Sequence, residues 1–172
     1  GGDNANLQSI LGKVYYEQDK KSLAELAFAK ALSLNPNLIE PAMYLSFIQI
    51  QNRAWEQAKQ TLEKALTLEP TNASLLNSMG IVYRGLGEID QAEKMYQDSY
   101  QYNPSNPEPL LNLAVLEADY RNDYEKAYTL LDRYLEEGGT EDDLVDQWRS
   151  EFEKSEKDFL AEKKRQEMRE LF

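Results

Sequence analysis

A period of 34 residues is the strongest constraint on what this chain can fold into. Small residues, alanines and prolines all recur at that interval. The positions are Gly12, Ser46, Gly80 and Ala114; Ala24, Ala58 and Ala92; and Pro36, Pro70 and Pro104. Such a period is typical of repeat proteins, in which each unit buries its apolar face only by stacking on its neighbours. The sequence therefore predicts a stack of similar units.

Each unit has the pattern of two helices joined by a short turn. In the first unit, apolar residues recur at the i, i+3, i+4, i+7 spacing of an amphipathic helix, at Leu7, Ile10, Leu11 and Val14. Residues 19–22 predict the turn, and a second apolar helix follows. That helix is expected to end at Asn35, because the residue before a proline is disfavoured in the helical region. The predicted fold class is all-α.

The spacing predicts four repeats and one further helix within a single domain, residues 1–172. The repeats cover about residues 5–37, 38–71, 72–104 and 105–139, and the further helix covers about 141–170. The fourth repeat departs from the period, because Ala127 follows Ala92 by 35 residues. This spacing predicts one inserted residue near positions 121–123. Where the third repeat has Tyr83, the second has Gln49 and the fourth has Glu117.

Small residues recur because two helices approach closely only where their side chains are short. The small residues of the first helices are predicted to face Ala24, Ala58, Ala92 and Ala127 of the second helices. One larger side chain of each second helix is then predicted to wedge against the pair, at Phe28, Leu62, Tyr96 and Leu131. Because trimming a buried side chain of this size to Ala costs about 2–5 kcal/mol, the wedges should hold each repeat together.

The last helix is predicted to seal the end of the stack. Thr140 is a suitable capping residue, and the carboxylates after it suit the positive end of a helix dipole. An apolar stripe follows, at Leu144, Trp148, Phe152, Phe159 and Leu160. The acidic cluster at 136–143 lacks the ligand alternation and central glycine of a calcium loop, so it predicts no metal site. The last turns, up to Phe172, are predicted to project into solvent or to touch a neighbour.

Charge and composition limit the partners and the chemistry. The net charge is −12, and residues 71–172 account for −11 of it. A negative surface repels phosphate, so we expect no nucleic acid partner and no anionic membrane. No apolar stretch is long enough to cross a bilayer. The chain has neither cysteine nor histidine, which removes thiolate and imidazole chemistry. We therefore expect no enzyme, no metal and no cofactor.

The compartment stays open between the cytoplasm and the bacterial periplasm, since both suit a protein without cysteine. Gly1-Gly2 has the look of a cloning remnant, which leaves room for a signal or lipid-attachment segment upstream.

With these motifs in place, residues 5–139 resemble the tetratricopeptide repeat family. The third unit carries the family pattern most fully, with Leu76, Met79-Gly80 and Tyr83 on one helix, Ala92 and Tyr96 on the next, and Pro104 at the end. The resemblance implies helix–turn–helix units stacked into a right-handed α-solenoid, with first helices lining a concave groove. Members are scaffolds and adaptors that hold peptides or helices, in settings that include chaperone complexes and bacterial envelope machines.

The groove-facing positions follow from the period once the packing residues are removed. On each first helix they step by four and then by three residues, so the members of a trio share one face. The trios are Ser9, Lys13 and Tyr16; Met43, Phe47 and Ile50; Asn77, Ile81 and Arg84; and Leu111, Val115 and Ala118. They predict an apolar strip from Met43 to Val115, and exposed apolar strips mark interaction sites. The alternative is that some of these residues pack between adjacent first helices.

The strip predicts a non-catalytic scaffold that binds a protein partner through an apolar peptide or an amphipathic helix. A bacterial assembly or secretion complex is a fitting setting. One branch of the family holds the terminal carboxylates of chaperone tails with Lys, Asn and Arg. Met43 and Phe47 on the matching face do not predict such a clamp. The alternative function is self-assembly into a homo-oligomer, in which the last helix or an N-terminal extension fills the groove of a neighbouring copy.

Overall fold

The computed structural model describes residues 2–140 and 143–170, apart from the side chains of residues 2, 3, 144 and 170. Within these residues every regular element is helical, which confirms the predicted all-α solenoid of helical hairpins. The elements are α1 (Gly2–Glu17), α2 (Lys21–Leu34), α3 (Ile39–Gln51), α4 (Trp55–Leu68), α5 (Ala73–Gly85), α6 (Ile89–Tyr102), α7 (Glu108–Leu116), a π-helical turn (Glu117–Arg121), α8 (Tyr124–Glu136) and α9 (Asp143–Glu170).

The chain divides into two compact units, residues 1–102 and residues 103–172. The first unit holds helices α1 to α6, and the second holds α7 to α9. The single domain predicted over residues 1–172 stays a prediction, and each unit is described by itself below.

The turns inside the hairpins repeat the period in their backbone. One residue of each turn has a positive φ, at Asp19 (55°), Arg53 (56°), Gly87 (78°) and Asn122 (54°). In the first turn the amide of Lys20 donates to the carbonyl of Tyr15 at 2.9 Å, and equivalent bonds close the next two turns. A left-handed residue with such a bond is a common way to end a helix. These residues stand 34, 34 and 35 positions apart, which confirms the insertion in the fourth repeat.

The inserted residue is accommodated in the π-helical turn of the second unit. The amides of Asn122 and Asp123 both donate to the carbonyl of Glu117, the latter at 3.0 Å. A π-helical turn holds one more residue than an α-helical turn, so the extra residue leaves the start of α8 undisturbed. The predicted positions 121–123 lie at the end of this turn.

The wedges predicted from the sequence are buried, since Phe28, Leu62, Tyr96 and Leu131 are each 0% exposed. A Cβ atom at Gly12 would lie 2.6 Å from the ring of Phe28, and one at Gly80 would lie 2.5 Å from the ring of Tyr96. These two hairpins therefore close to a distance that only glycine permits, which confirms the small-residue prediction in the first and third repeats.

A cluster of buried residues from α3, α4 and α5 joins the second and third repeats inside the first unit. Its members are Ala42, Ala58, Leu62, Ala65, Leu75, Met79 and Val82. The second repeat thus buries its apolar side against the third, as the solenoid prediction requires.

In the second unit, the first half of α9 packs on α8. Val145 and Phe152 are each 1% exposed. The ring of Phe152 lies 6.1 Å from that of Tyr128, and the ring of Phe159 lies 6.2 Å from that of Tyr124. The order of these pairs shows that the two helices run antiparallel, so α9 packs along α8 within the second unit.

The distal half of α9 has a different environment. Leu160 is 54% exposed and Met168 is 53% exposed, and every described side chain from 160 to 169 is exposed. That the last turns project into solvent or touch a neighbour stays a prediction. The predicted roles of Glu141, Asp142, Leu144, Leu171 and Phe172 fall outside the residues that the structure describes.

Candidate peptide-binding face

A concavity of about 480 Å³ opens on the first helices of the first unit. Its walls are Tyr16 from α1; Glu40, Met43, Tyr44 and Phe47 from α3; and Ser78 from α5. The four residues of α3 have the i, i+3, i+4, i+7 spacing and so share one face of the helix. We call this concavity the anchor pocket. Its volume lies in the range of pockets that hold ligands, about 300–1,000 Å³.

A series of aromatic contacts supports the wall of the anchor pocket. The buried ring of Phe28 stacks on Tyr44 with centroids 5.1 Å apart. Tyr44 meets the edge of Tyr16 at 5.2 Å, and Tyr16 meets the edge of Phe47 at 6.3 Å. Edge-to-face and offset stacked pairs are the favoured aromatic arrangements. The wall is therefore fixed to the core before any ligand arrives.

Among the aromatic residues of this wall Phe47 is the most exposed, with 44% of its surface accessible. Met43 beside it is half-buried and packs on the buried cluster of α3, α4 and α5. An exposed ring above a fixed apolar base can bury further surface only against another molecule. Full burial of a free side chain of this size contributes about 1.5–3 kcal/mol, so burying the remaining 44% of Phe47 contributes about 1 kcal/mol, before the cost of ordering the ligand.

An ion pair stands at the edge of the anchor pocket. The Nζ atom of Lys13 donates a hydrogen bond to Oε1 of Glu40 at 2.8 Å. This hydrogen bond, together with the charge of Glu40, raises the pKa of Lys13 above its ordinary value. The charge of Lys13 is already balanced, so this lysine offers a ligand carboxylate less than an isolated cation would.

The predicted residues Tyr16, Met43 and Phe47 come together in the anchor pocket, whereas Glu40, Tyr44 and Ser78 were missed. A signal for two of them was present, because Glu40 and Tyr44 share the helical face of Met43 and Phe47. The predicted trio included Ile50 in place of these two residues. Ile50 is half-buried and packs on the buried cluster.

The trio predicted on α5 lies outside the anchor pocket. Asn77, Ile81 and Arg84 are all half-buried and do not line the concavity. On α1, Ser9 is only 7% exposed, so its assignment to an open groove was wrong.

The second unit corrects the other end of the predicted strip. Leu111 is half-buried, but Val115 is 4% exposed and Ala118 is 1% exposed. The physical reason is that residues 113–118, which run from α7 into the π-helical turn, are all buried, so this segment has no open apolar face. Val115 is therefore a buried packing residue of the second unit and does not lie on a surface that a peptide can reach.

Among the residues that the structure describes, no group of three or more carboxylates could hold a metal ion. Within the same residues, no helix has both the length and the apolar character needed to cross a membrane.

Comparison with family models gives three matches described as tetratricopeptide repeat, at residues 5–38, 61–94 and 83–146. Among curated proteins, the photosystem I assembly protein Ycf3 of Synechococcus sp. (strain CC9605) is 31% identical over 124 residues, which cover 69% of this chain and 65% of that protein. The uncharacterized protein ycf37 of Pyropia yezoensis is 32% identical over 68 residues, covering 40% of this chain and 38% of that protein. The chain thus spans less than two thirds of either relative.

Solved structures share the fold. MamA (residues 41 to the end) from Desulfovibrio magneticus RS-1 aligns with a TM-score of 0.71 and 17% identity, covering 77% of this chain and 74% of that one. The first TPR of Spaghetti (RPAP3), bound to the HSP90 peptide SRMEEVD, aligns with a TM-score of 0.61 and 17% identity, covering 76% of this chain and 95% of that one. At these identities the likeness concerns the fold alone.

Proposed function

Because the chain belongs to the tetratricopeptide repeat family, we propose that it is a non-catalytic scaffold that binds an apolar peptide or an amphipathic helix of a partner protein. The binding surface is the anchor pocket of the first unit. One observation carries this proposal: Phe47 is 44% exposed at the end of a series of rings that begins in the core at Phe28. A rigid, exposed ring of this kind suits a binding anchor.

The chemistry of the pocket favours an apolar ligand over a terminal carboxylate. Tyr16, Met43 and Phe47 supply the walls, while the cation at the edge, Lys13, is paired with Glu40. The neighbouring fold in RPAP3 is bound to the peptide SRMEEVD, which ends in two acidic groups, the side chain and terminal carboxylate of its last residue. For this chain we propose a ligand that places a large apolar side chain in the pocket, such as one ridge of an amphipathic helix.

The setting proposed for this binding is the assembly of a multi-protein complex in a bacterium. The relative Ycf3 is named a photosystem I assembly protein, and the present chain shares 31% identity with it over 124 residues. An assembly factor holds an apolar segment of a subunit until that segment is buried in the complex. An anchor pocket on a soluble acidic scaffold fits that task.

The test is a selection of displayed twelve-residue peptides on the wild-type chain, followed by affinity measurement with labelled copies of the selected peptides. We expect selected peptides to carry large apolar residues at helical spacing. Phe47→Ala should weaken their binding about fivefold or more, because hot-spot aromatic residues contribute over about 1 kcal/mol. Tyr102→Ala is the matched control, since Tyr102 is 51% exposed in the same unit and lies outside the pocket.

Equal binding by the wild-type chain and Phe47→Ala would refute the anchor pocket as the binding surface. Helical circular dichroism of both variants ensures that a loss reflects the surface and not the fold. Val115→Asp is unsuitable as a second groove variant, because Val115 is 4% exposed and a carboxylate there would be buried without a partner.

A second candidate function is self-assembly, and the distal half of α9 favours it. Leu160 and Met168 lie two helical turns apart on one face, and both are more than half exposed. We propose that this face enters the anchor pocket of a neighbouring copy. Light scattering on a chain ending at Phe159, which removes both residues, separates the two functions, because only self-assembly predicts a fall in particle mass at high concentration.

A further inference from the structure

A second cavity, of about 430 Å³, lies between α2 and α4, on the second helices of the first unit. We call it the second-helix cleft. Its floor is formed by Ala42, Leu45 and Gln49 of α3, and its sides include Glu25 of α2 and Lys64 of α4. The anchor pocket uses Met43 and Phe47 of α3, so the two cavities draw on different residues of the same helix.

The 34-residue period provides an internal control for this cleft. The next repeat has much larger side chains at some of the lining positions. Ala29, Ala42, Gln49 and Thr61 are matched by Glu63, Leu76, Tyr83 and Met95. Leu76 is only 5% exposed, and Tyr83 and Met95 pack on the buried cluster. Between α4 and α6 the equivalent space is thus filled by the protein's own apolar side chains.

A cation covers the filled site as well. The Nζ atom of Lys59 lies 5.0 Å from the centre of the Tyr83 ring and pairs with Glu88 at 3.2 Å. At the positions of Lys59 and Glu88, the preceding repeat has Glu25 and Ala54. The second-helix cleft therefore lacks the filling ring and the covering cation, and it has a carboxylate in the place of that cation.

The floor of the cleft is polar at one position, Gln49, where the next repeat has the ring of Tyr83. Gln49 is only 8% exposed, and its Oε1 accepts a hydrogen bond from the hydroxyl of Thr61 at 2.9 Å. A carboxamide also has two N–H donors, and Gln49 lines the cleft. Gln57 and Gln60 of α4 add two more carboxamides to the lining. A carboxamide carries a donor and an acceptor in one plane, which matches a peptide group.

The charges stand toward opposite ends of the cleft. Because α2 and α4 hold the same place in successive repeats, they run in the same direction. Glu25 lies in the second turn of α2, whereas Lys64 lies in the second half of α4. Glu25 matches position 59 of α4, and from there to Lys64 the rise along α4 is about 7.5 Å. An extended peptide of about four residues covers about 13 Å, so it can reach from one charge to the other.

We propose that the second-helix cleft binds a short extended peptide segment of a partner, with a basic side chain toward Glu25 and an acidic side chain toward Lys64. The carboxamides of Gln49, Gln57 and Gln60 hold its main chain, and Ala29 and Ala42 leave room for its backbone. The next repeat supports this inference. Its large side chains fill the matching space and stabilise the fold, whereas the cleft has polar and small side chains at the same positions. The site is separate from the anchor pocket and does not rest on the function proposed for it.

The test uses four tetrapeptides with blocked ends: Lys-Ala-Ala-Glu, Glu-Ala-Ala-Lys, tetra-alanine and Lys-Ala-Ala-Lys. Each is titrated into the whole chain and followed by the amide resonances of α2 and α4. We expect one of the two peptides that carry both a basic and an acidic residue to shift these resonances with a dissociation constant of about 0.1–1 mM, the range for so few contacts. Tetra-alanine and the doubly basic peptide should bind at least about threefold more weakly.

The matched variant is Gln49→Tyr with Thr61→Met, which copies the filled site of the next repeat. It should lose peptide binding in the second-helix cleft while the anchor-pocket peptides bind unchanged, so that the two sites fail or succeed independently. If this double variant does not fold, Glu25→Lys serves instead, since the residue is half-exposed and the next repeat has lysine there. The Glu25→Lys variant should favour a peptide that has an acidic residue, and not a basic one, at the end near residue 25.

Three outcomes would overturn the proposal. They are no shift of the α2 and α4 resonances by any of the four peptides, equal binding of the charged peptides and tetra-alanine, and unchanged binding by the filled variant.

Discussion

The second and third repeats have the same backbone plan but present different surfaces. Their second helices, Trp55–Leu68 and Ile89–Tyr102, start 34 residues apart, and their turns use left-handed residues at Arg53 and Gly87. At the end of the first helix, however, Gln49 bonds to Thr61 beside an open cleft, whereas Tyr83 lies under Lys59. Small residues, wedges and turns fix the spacing of the two helices in each hairpin. The residues that line the space between neighbouring second helices differ between the two repeats.

Removing a wedge should have the largest effect on the unfolding free energy. The effect should be similar in both repeats, because each hairpin closes on its wedge. Tyr96→Ala should cost about 3–5 kcal/mol of unfolding free energy and Leu62→Ala about 2–5 kcal/mol, since both side chains are fully buried. Urea denaturation followed by circular dichroism measures both. Tyr102→Ala, at an exposed site, should stay within about 0.5 kcal/mol of the wild type. A loss below about 1 kcal/mol for either wedge would contradict the common plan.

A smaller effect should come from exchanging the small residues of the two repeats. Gly80→Ser should cost about 1–3 kcal/mol, because its Cβ would meet the Tyr96 ring at 2.5 Å. The reverse exchange, Ser46→Gly, should cost only about 1 kcal/mol, the penalty of glycine inside a helix. The same denaturation assay compares them. Equal losses would mean that the wedge of the third repeat is no tighter than that of the second.

The fold could be predicted from the sequence because its determinants repeat. Gly12 and Gly80 stand two periods apart, and they lie against Phe28 and Tyr96, which also stand two periods apart. A single displaced alanine, Ala127, revealed the insertion. Each of these features involves residues within one hairpin, so the period alone locates both partners.

The candidate site was predicted only in part because it depends on packing between repeats. Met43 and Phe47 were found from helical spacing, but Val115 was assigned by the same rule and is buried. The rule assumes that each first helix has one open face, and residues 113–118 have none. The replacement of Tyr by Gln49 was visible in the sequence, yet the cleft also needs Ala29, Ala42 and Thr61 around it. Only the structure brings those positions together.

A still smaller effect should be the coupling between Tyr83 and Lys59. Tyr83→Gln removes the packing of the ring on the buried cluster as well as its contact with Lys59, but only the cation–π contact, about 0.5–1 kcal/mol at an accessible site, depends on Lys59. Combining Tyr83→Gln with Lys59→Met in a double-mutant cycle should give a coupling energy of the same size. A coupling energy of zero would show that Lys59 does not interact with the ring in solution, and that the contrast between the two repeats is one of shape only.

The smallest effect concerns the ion pair that covers Tyr83. Glu88→Gln should cost less than about 1 kcal/mol at neutral pH, because both side chains are partly open to solvent, 23% and 34%. The hydrogen bond from Lys59 to Glu88 raises the pKa of Lys59 above its ordinary value. A raised folded-state pKa stabilises the fold fully below the unfolded pKa, about 10.4, and this contribution disappears as the pH rises through the folded value. The difference between wild type and Glu88→Gln should therefore be constant from neutral pH up to about pH 9 and should shrink above about pH 10.5. Urea midpoints at both ends of that range measure it, and a difference that persists at high pH would assign the effect of Glu88 to its hydrogen bond with Gln91 instead of its pairing with Lys59.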